Sequence, residues 1–391
     1  MTELDRMTSF EIKATLSVAG LFALRLLGLF MVLPLLSLYA KTLSNATPNL
    51  IGIAVGCYGL TQALFQIPLG NLSDRYNRKI VIAVGLIIFI AGSVIAAYAD
   101  SIWILILGRA LQGVGAVGSS TIALLTDYTR ENQRTKVMAI FGASIGISFI
   151  VALMLGPILN KWLRVSALFE IAAFFGILCL LILYKLPPIQ VQPIPPNHSF
   201  VKQLFRILKN KKLVGLNLGI FSLHLVFTST FVVLPLLLNN RLSMQPDQLW
   251  RIYFPSVLMG CLFILPLLRR SQAEKPNQKI NQFMLVVLMA SLLWLWKINL
   301  EAMDLIIGLS LFFAAFNFLE ANLPAQISKL APQDSRGTTM GIYSCSQFLG
   351  IFVGGLLGGN IYGYFNPSVI FVFCAILTLF WIIINFFAQR S

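Results

Sequence analysis

Gly70-Asn71-Leu72-Ser73-Asp74-Arg75-Tyr76-Asn77-Arg78-Lys79 is a polar run with one acid and three bases, wedged between two long apolar stretches. Its surroundings decide the fold. Of 391 residues, 58% are hydrophobic and 11% charged, with a mean hydropathy of +0.83, which places the chain in lipid. About 20 apolar residues cross a bilayer as a helix. Twelve such spans, numbered 1 to 12 below, begin near Thr15, Leu50, Ile80, Trp103, Thr135, Val165, Leu213, Gln248, Ile280, Asp304, Arg336 and Pro367. Continuous runs such as Ile171–Tyr184 and Val369–Phe387 exclude a β-barrel, whose strands alternate. The expected fold class is all-α integral membrane.

The net charge of +15 raises nucleic acid as a partner, but the bases do not gather on one face. With the N-terminus inside, inner loops hold 21 of the 29 Lys and Arg residues and outer loops hold five. That positive-inside bias places both termini in the cytoplasm. Cys57, Cys179, Cys261, Cys345 and Cys374 all fall in apolar segments without metal-type spacing, so no metal or cofactor is expected. The first apolar run lacks a small-residue cleavage site, so span 1 is expected to stay as an anchor.

The longest polar interruption, Lys185 to Lys212, divides the spans six and six. We expect an N-terminal bundle over 1–186, a cytoplasmic linker over 187–212 and a C-terminal bundle over 213–391. The linker opens with a proline-rich stretch, Pro187-Pro188 to Pro195-Pro196. It ends in Phe200–Lys209, where Val201, Leu204, Phe205 and Leu208 fall at helical spacing with bases opposite, the pattern of an interfacial helix on the inner leaflet. The halves read as repeats. At an offset of 202, Arg134, Met138, Ile140, Ser144, Val151 and Gly156 match Arg336, Met340, Ile342, Ser346, Val353 and Gly358. Glu274–Ile280 is a faded copy of Asp74–Ile80. Paired six-helix repeats are a common build of secondary transporters, with the substrate between them.

Three motifs carry a family resemblance. The Gly70–Lys79 run resembles the loop between helices 2 and 3 of the major facilitator superfamily, with Asn77 where that family has glycine. Asn is the next-best residue for a left-handed turn. Arg109-Ala110-Leu111-Gln112-Gly113-Val114-Gly115 in span 4 is similar to the family's Arg-x-x-Gln-Gly-x-Gly. Gly142, Gly146, Gly156 and Pro157 in span 5 resemble the helix-packing motif of its drug:proton antiporters, although Asn160-Lys161 stand where that motif continues to a double glycine. Phe65–Pro68, Gly108–Gly113 and Tyr343–Gly350 further resemble the YajR-type group of bacterial inner-membrane drug exporters. Members of that group carry a soluble C-terminal domain, and this chain stops just after span 12, so regulation attributed to that domain is not carried over.

The resemblance implies two pseudo-symmetric six-helix bundles, no enzyme activity, a monomer among membrane lipids, and proton-coupled efflux of amphipathic or drug-like small molecules across the inner membrane. A metabolite or siderophore carrier, including an importer, is the alternative on the same scaffold. It implies an inner gate of Gly70, Asp74, Arg75, Arg78, Lys79 and Asp127: Asp74 beside the start of span 11 at Ser335-Arg336-Gly337, and the bases on Asp127. It implies a substrate cavity of Arg25, Arg109, Gln112, His224, Thr228, Asn317 and Glu320 between spans 1, 4, 7 and 10. An ionisable residue inside hydrocarbon persists only facing a cavity or a partner. Glu320, with Asn317 on the same face, is accordingly the expected proton carrier, with Arg109 or Arg25 as its counter-charge. Gly142-Ala143-Ser144-Ile145-Gly146 spells a nucleophile elbow, yet it sits mid-helix, where that motif has no strand to turn from. No phosphate-binding loop is present, so ATP is not an internal energy source.

Overall fold

Pro34 explains the first departure from a set of plain rods. Its missing N–H and its ring break span 1 into α1 (Ser9–Phe30) and α2 (Leu33–Thr42). The computed structural model describes residues 7–115, 117–188, 200–271, 278–297, 301–332 and 336–388, without the side chains of 200–203, 265, 268–271, 278, 297, 336 and 386–388. Ser335, most of the proline-rich linker and the start of the Glu274–Ile280 copy lie outside the described residues. The other helices are α3 (Pro48–Arg75), α4 (Arg78–Ala97), α5 (Ile102–Val114), α6 (Gly118–Asp127), α7 (Arg134–Leu159), α8 (Val165–Lys185), α9 (Phe200–Lys209), α10 (Lys211–Leu242), α11 (Trp250–Ser271), α12 (Gln278–Lys297), α13 (Ala302–Leu330), α14 (Arg336–Tyr364) and α15 (Val369–Ala388). No strand occurs among the described residues.

Local chemistry sets the boundaries. Span 1 starts at Ser9, six residues before the apolar run, because Thr8 and Glu11 form a capping box. Thr47, Asn77, Ser101 and Asn210 cap α3, α4, α5 and α10 with side-chain oxygens. Span 4 is also broken: α5 ends at the Gly115 cap and α6 begins after Val117. Ten described segments are long and apolar enough to cross a membrane, and α15 adds a shorter one over Val369–Asn385. The fold is an all-α membrane bundle.

Glycines on α14 knit the molecule together. Gly350, Gly354 and Gly358 repeat every four residues and lie on the backbone of α10 at Phe221, Leu225 and Ser229, where Ser229 Oγ donates to Gly354 O at 2.9 Å. The interleaved set Gly355, Gly359 and Gly363 faces α3, where a Cβ on Gly355 would stand 2.8 Å from Gly56 Cα and one on Gly359 2.9 Å from Gly52 Cα. Small residues at this spacing let two backbones meet, the main attraction open to helices in lipid. Toward the other end contact loosens. A Cβ at Gly341 would find only Ile67, at 3.6 Å, and one at Gly337 would find nothing within 4 Å. The α3–α14 seam is thus tightest at the end bearing Pro48 and Gly359.

Candidate functional site

Three polar side chains meet in the second half. His224 comes from α10, Glu320 from α13 and Gln347 from α14. Gln347 Nε2 donates to Glu320 Oε1 at 3.0 Å and stands 2.9 Å from His224 Nε2. His224 Nδ1 lies 3.3 Å from Ile220 O, a group that only accepts, so Nδ1 carries the ring proton and Nε2 accepts from the amide. Glu320 Oε2 is 3.6 Å from His224 Nε2 and has no hydrogen-bond partner, as is also true of the buried Tyr343 hydroxyl one turn before Gln347. The Glu320 side chain is 37% exposed although it sits deep in α13, whereas His224 is buried. An aromatic stack rises from this trio: His224 meets Phe316 edge-on at 5.6 Å, Phe316 stacks on Phe227 at 4.6 Å, and Phe227 on Phe231 at 4.5 Å. Phe149 of α7 reaches Phe227 at 5.8 Å, so the stack touches both halves of the chain.

The two arginines lie elsewhere. Arg109 Nη1 donates to Gln112 Oε1 at 2.7 Å, as i,i+3 spacing allows, and its guanidinium covers the Tyr58 ring at 4.6 Å. Gln112 Nε2 continues the chain to Ser93 Oγ at 2.9 Å. Arg25 Nη2 donates to Gly115 O at 3.1 Å, supplying a cation at the broken end of α5, and stacks over Phe89 at 5.2 Å. Arg25 Nε and Nη1 are buried without partners, and neither arginine has an ion-pair acid among the described residues.

These positions correct several expectations. Arg25, Arg109, Gln112 and Thr228 are sealed between helices rather than lining an open cavity, because Phe89, Tyr58 and the α5 break absorb the cations. Glu320 meets His224 and Gln347, not Arg25 or Arg109, whose guanidiniums point into the first-half helices. Asn317 donates to Cys261 Sγ at 3.4 Å on α11.

At the Gly70–Lys79 turn, Arg78 holds both acids. Its Nη1 is 2.7 Å from Asp74 Oδ1 and its Nε is 2.6 Å from Asp127 Oδ2, the second contact being poorly aligned for a hydrogen bond. Lys79 does not reach Asp127; its Nζ donates to Leu186 O at 2.6 Å. Arg75 is exposed with no ion-pair partner among the described residues. Asp74 turns to Arg78 within its own half, and no described contact joins it to α14. Gly70 approaches α6, where a Cβ would lie 3.2 Å from Ser119 Oγ. In α7, Gly156 presses on the Met31 carbonyl at the α1–α2 break beside the buried Pro157. Gly142 and Gly146 face open space, so they pack against nothing in this state.

Sequence reasoning singled out neither Gln347 nor the Glu11–Arg130 clamp. Glu11 accepts three bonds of 3.0 Å from Arg130, through the backbone N, Nε and Nη2, and ties the start of α1 to the α6–α7 connection. The available signals were an amide inside an apolar helix and an acid beside a cap.

The Major Facilitator Superfamily profile matches residues 18–354 and 283–390. The chain is 42% identical to the inner membrane transport protein YajR of Escherichia coli (strain K12) over 379 residues, covering 96% of this chain and 83% of that protein. It is 25% identical over 354 residues to the multidrug resistance protein MdtH of Aeromonas salmonicida (strain A449), covering 88% of this chain and 86% of that one. A solved bacterial homologue of the human lysosomal transporter Spinster, inward-facing and unoccupied, superposes with a TM-score of 0.75 at 16% identity, covering 98% of each chain. These relatives are transporters, and the chain is a transporter rather than an enzyme. On the whole-length profile match and the identity to YajR, the chain belongs to the Major Facilitator Superfamily.

Proposed function

We propose that the chain is a proton-coupled secondary transporter of the bacterial inner membrane, with both termini cytoplasmic, which exports amphipathic or drug-like small molecules by alternating access. The observation that carries this reading is the Gln347 bridge between Glu320 and His224. A carboxylate held by one amide donor beside an imidazole, with its second oxygen unpaired on a side chain that is 37% exposed, is placed to exchange a proton during a cycle. A proton on Glu320 removes the charge that Gln347 donates to, loosening α14 from α13. Phe227 and Phe316 are buried against each other in this state, and an apolar substrate would lie against them once α13 and α14 part. The tight α3–α14 seam corresponds to a closed periplasmic side, and Arg78 with Asp74 and Asp127 to the cytoplasmic gate. The likeness to YajR favours the inner membrane, and the likeness to MdtH favours drug export.

Glu320→Gln in proteoliposomes tests it. Loss of pH-driven transport with substrate exchange retained supports the carrier role, and intact pH-driven transport eliminates it.

The second reading is a carrier of an acidic metabolite or siderophore. Arg25 and Arg109 carry no ion-pair acid among the described residues, which favours it. Both are sealed in this state, so the reading requires another state of the cycle to uncover them. Counterflow of labelled organic anions, lost in Arg109→Gln, would select it over export of amphipathic cations.

A further inference from the structure

On the side where α1 begins and α15 ends, a cavity of about 140 Å³ opens between the ends of α10, α12, α13 and α15. Its polar lining is Lys211 and Lys212 of α10, Asn281 and Gln282 of α12, Gln326 of α13 and Asn385 of α15, with Trp381 as an apolar wall. No acid lines it. Among the described residues neither lysine ammonium is in an ion pair. Gln326 Nε2 is buried without a hydrogen-bond partner. Asn322 Nδ2 donates to Asn281 Oδ1, which engages the oxygen end of Asn281 and leaves its N–H₂ end to donate elsewhere. Two ammoniums and a set of amide donors without an acid are the complement of a phosphate.

Two neighbouring features say where that phosphate comes from. Immediately before α10, α9 buries Ile207 against the protein and leaves Phe205 61% and Leu208 53% exposed, the build of a helix resting at a membrane surface. Beside Asn281 and Asn385, the outward faces of α12 and α15 expose Phe283, Phe380, Ile383 and Ile384, an apolar track along which an acyl chain can lie. We propose that this cavity is a headgroup site for an anionic phospholipid of the leaflet on which α9 rests, its phosphate held by Lys211, Lys212 and Gln326. Topology alone would place lysines on this side; it does not account for their sharing a concave, acid-free cavity with an unpaired buried amide. The occupant also touches the helix of the transport site. Leu319 and Leu323 of α13 line the cavity and flank Glu320 in sequence, so a bound lipid wedges α13 and sets its freedom to move.

The test is native mass spectrometry of the full chain in detergent, titrated separately with phosphatidylglycerol, phosphatidylcholine and inorganic phosphate. The expected result is a retained phosphatidylglycerol adduct, weakened about tenfold in the Lys211→Gln/Lys212→Gln double variant and in Gln326→Leu, and unchanged in Lys13→Gln. Lys211→Arg/Lys212→Arg should keep the adduct, which guards against loss through misfolding. Equal retention by all variants, or equal binding of phosphatidylcholine, would overturn the site. A shift with inorganic phosphate as large as with phosphatidylglycerol would overturn the lipid assignment in favour of a soluble phosphate compound.

Discussion

The Gln347 amide nitrogen stands 3.0 Å from Glu320 Oε1, and that one bond joins α14 to α13 across the proposed transport site. The same nitrogen serves His224 at 2.9 Å, so its two hydrogens are committed to two titratable groups at once. A hydrogen bond to a charged group contributes roughly 1.5–3 kcal/mol. Gln347→Leu should therefore slow pH-driven transport by about tenfold or more in proteoliposomes, with insertion unchanged. Gln347→Asn, too short to reach both partners, should behave likewise. Unaltered rates in both variants would reduce Gln347 to a packing residue.

Arg78 sits between two acids, 2.7 Å from Asp74 and 2.6 Å from Asp127. Neither pair is independent of the other, because one guanidinium serves both. Asp74→Asn and Asp127→Asn should each impair transport strongly, and the double variant should be little worse than the harsher single one. Additive losses in initial efflux rates would mean that the acids act on separate partners.

Helix placement was open to reading because it needs only local apolar length; the predicted starts fall within six residues of those observed, and the largest miss, at Ser9, comes from a capping box that extends α1 into polar sequence. Partner choice was not open in the same way. Gln347 meets residues 123 and 27 positions away, and nothing local distinguishes its amide from any other in an apolar helix. The same holds for the arginines. Burial cost argued for a counter-charge on Arg25, but a helix-end carbonyl and the Phe89 ring take that place. The double stripe of glycines on α14 could be read as small residues every four positions, yet only the fold says that one stripe faces α10 and the other α3.

Arg25 offers a test in which stability and function part. Two of its guanidinium nitrogens are buried with no partner, so the folded state carries an incompletely satisfied charge. Arg25→Met removes that charge and keeps most of the volume. Thermal unfolding should occur at the same temperature or a few degrees higher, while transport falls sharply. Arg25→Lys cannot stack on Phe89 and reach Gly115 O together, and should not restore activity. Full transport by Arg25→Met would assign the residue to architecture alone.

The glycine seam gives the last prediction, and its strength is that sites of one residue type should respond in opposite ways. At Gly355 a side chain would run into the Gly52 carbonyl and lie 2.8 Å from Gly56 Cα, backbone that cannot step aside. Gly142 and Gly146 have nothing within 4 Å of a new Cβ. Gly355→Val should therefore wedge α14 from α3 and open the end at Pro48, whereas Gly142→Ala and Gly146→Ala should be accepted in this state and gain slightly from better helix propensity. The readout is labelling of a single cysteine placed at Asn49, beside the seam, by a membrane-impermeant thiol reagent in a cysteine-free background. Labelling should rise several-fold with Gly355→Val and stay at the parent level with the two alanine variants. Equal labelling in all three would show that the seam does not seal that end. A rise with Gly142→Ala or Gly146→Ala would instead mean that α7 closes against a partner in a second state, and that the open face seen here is one half of the cycle.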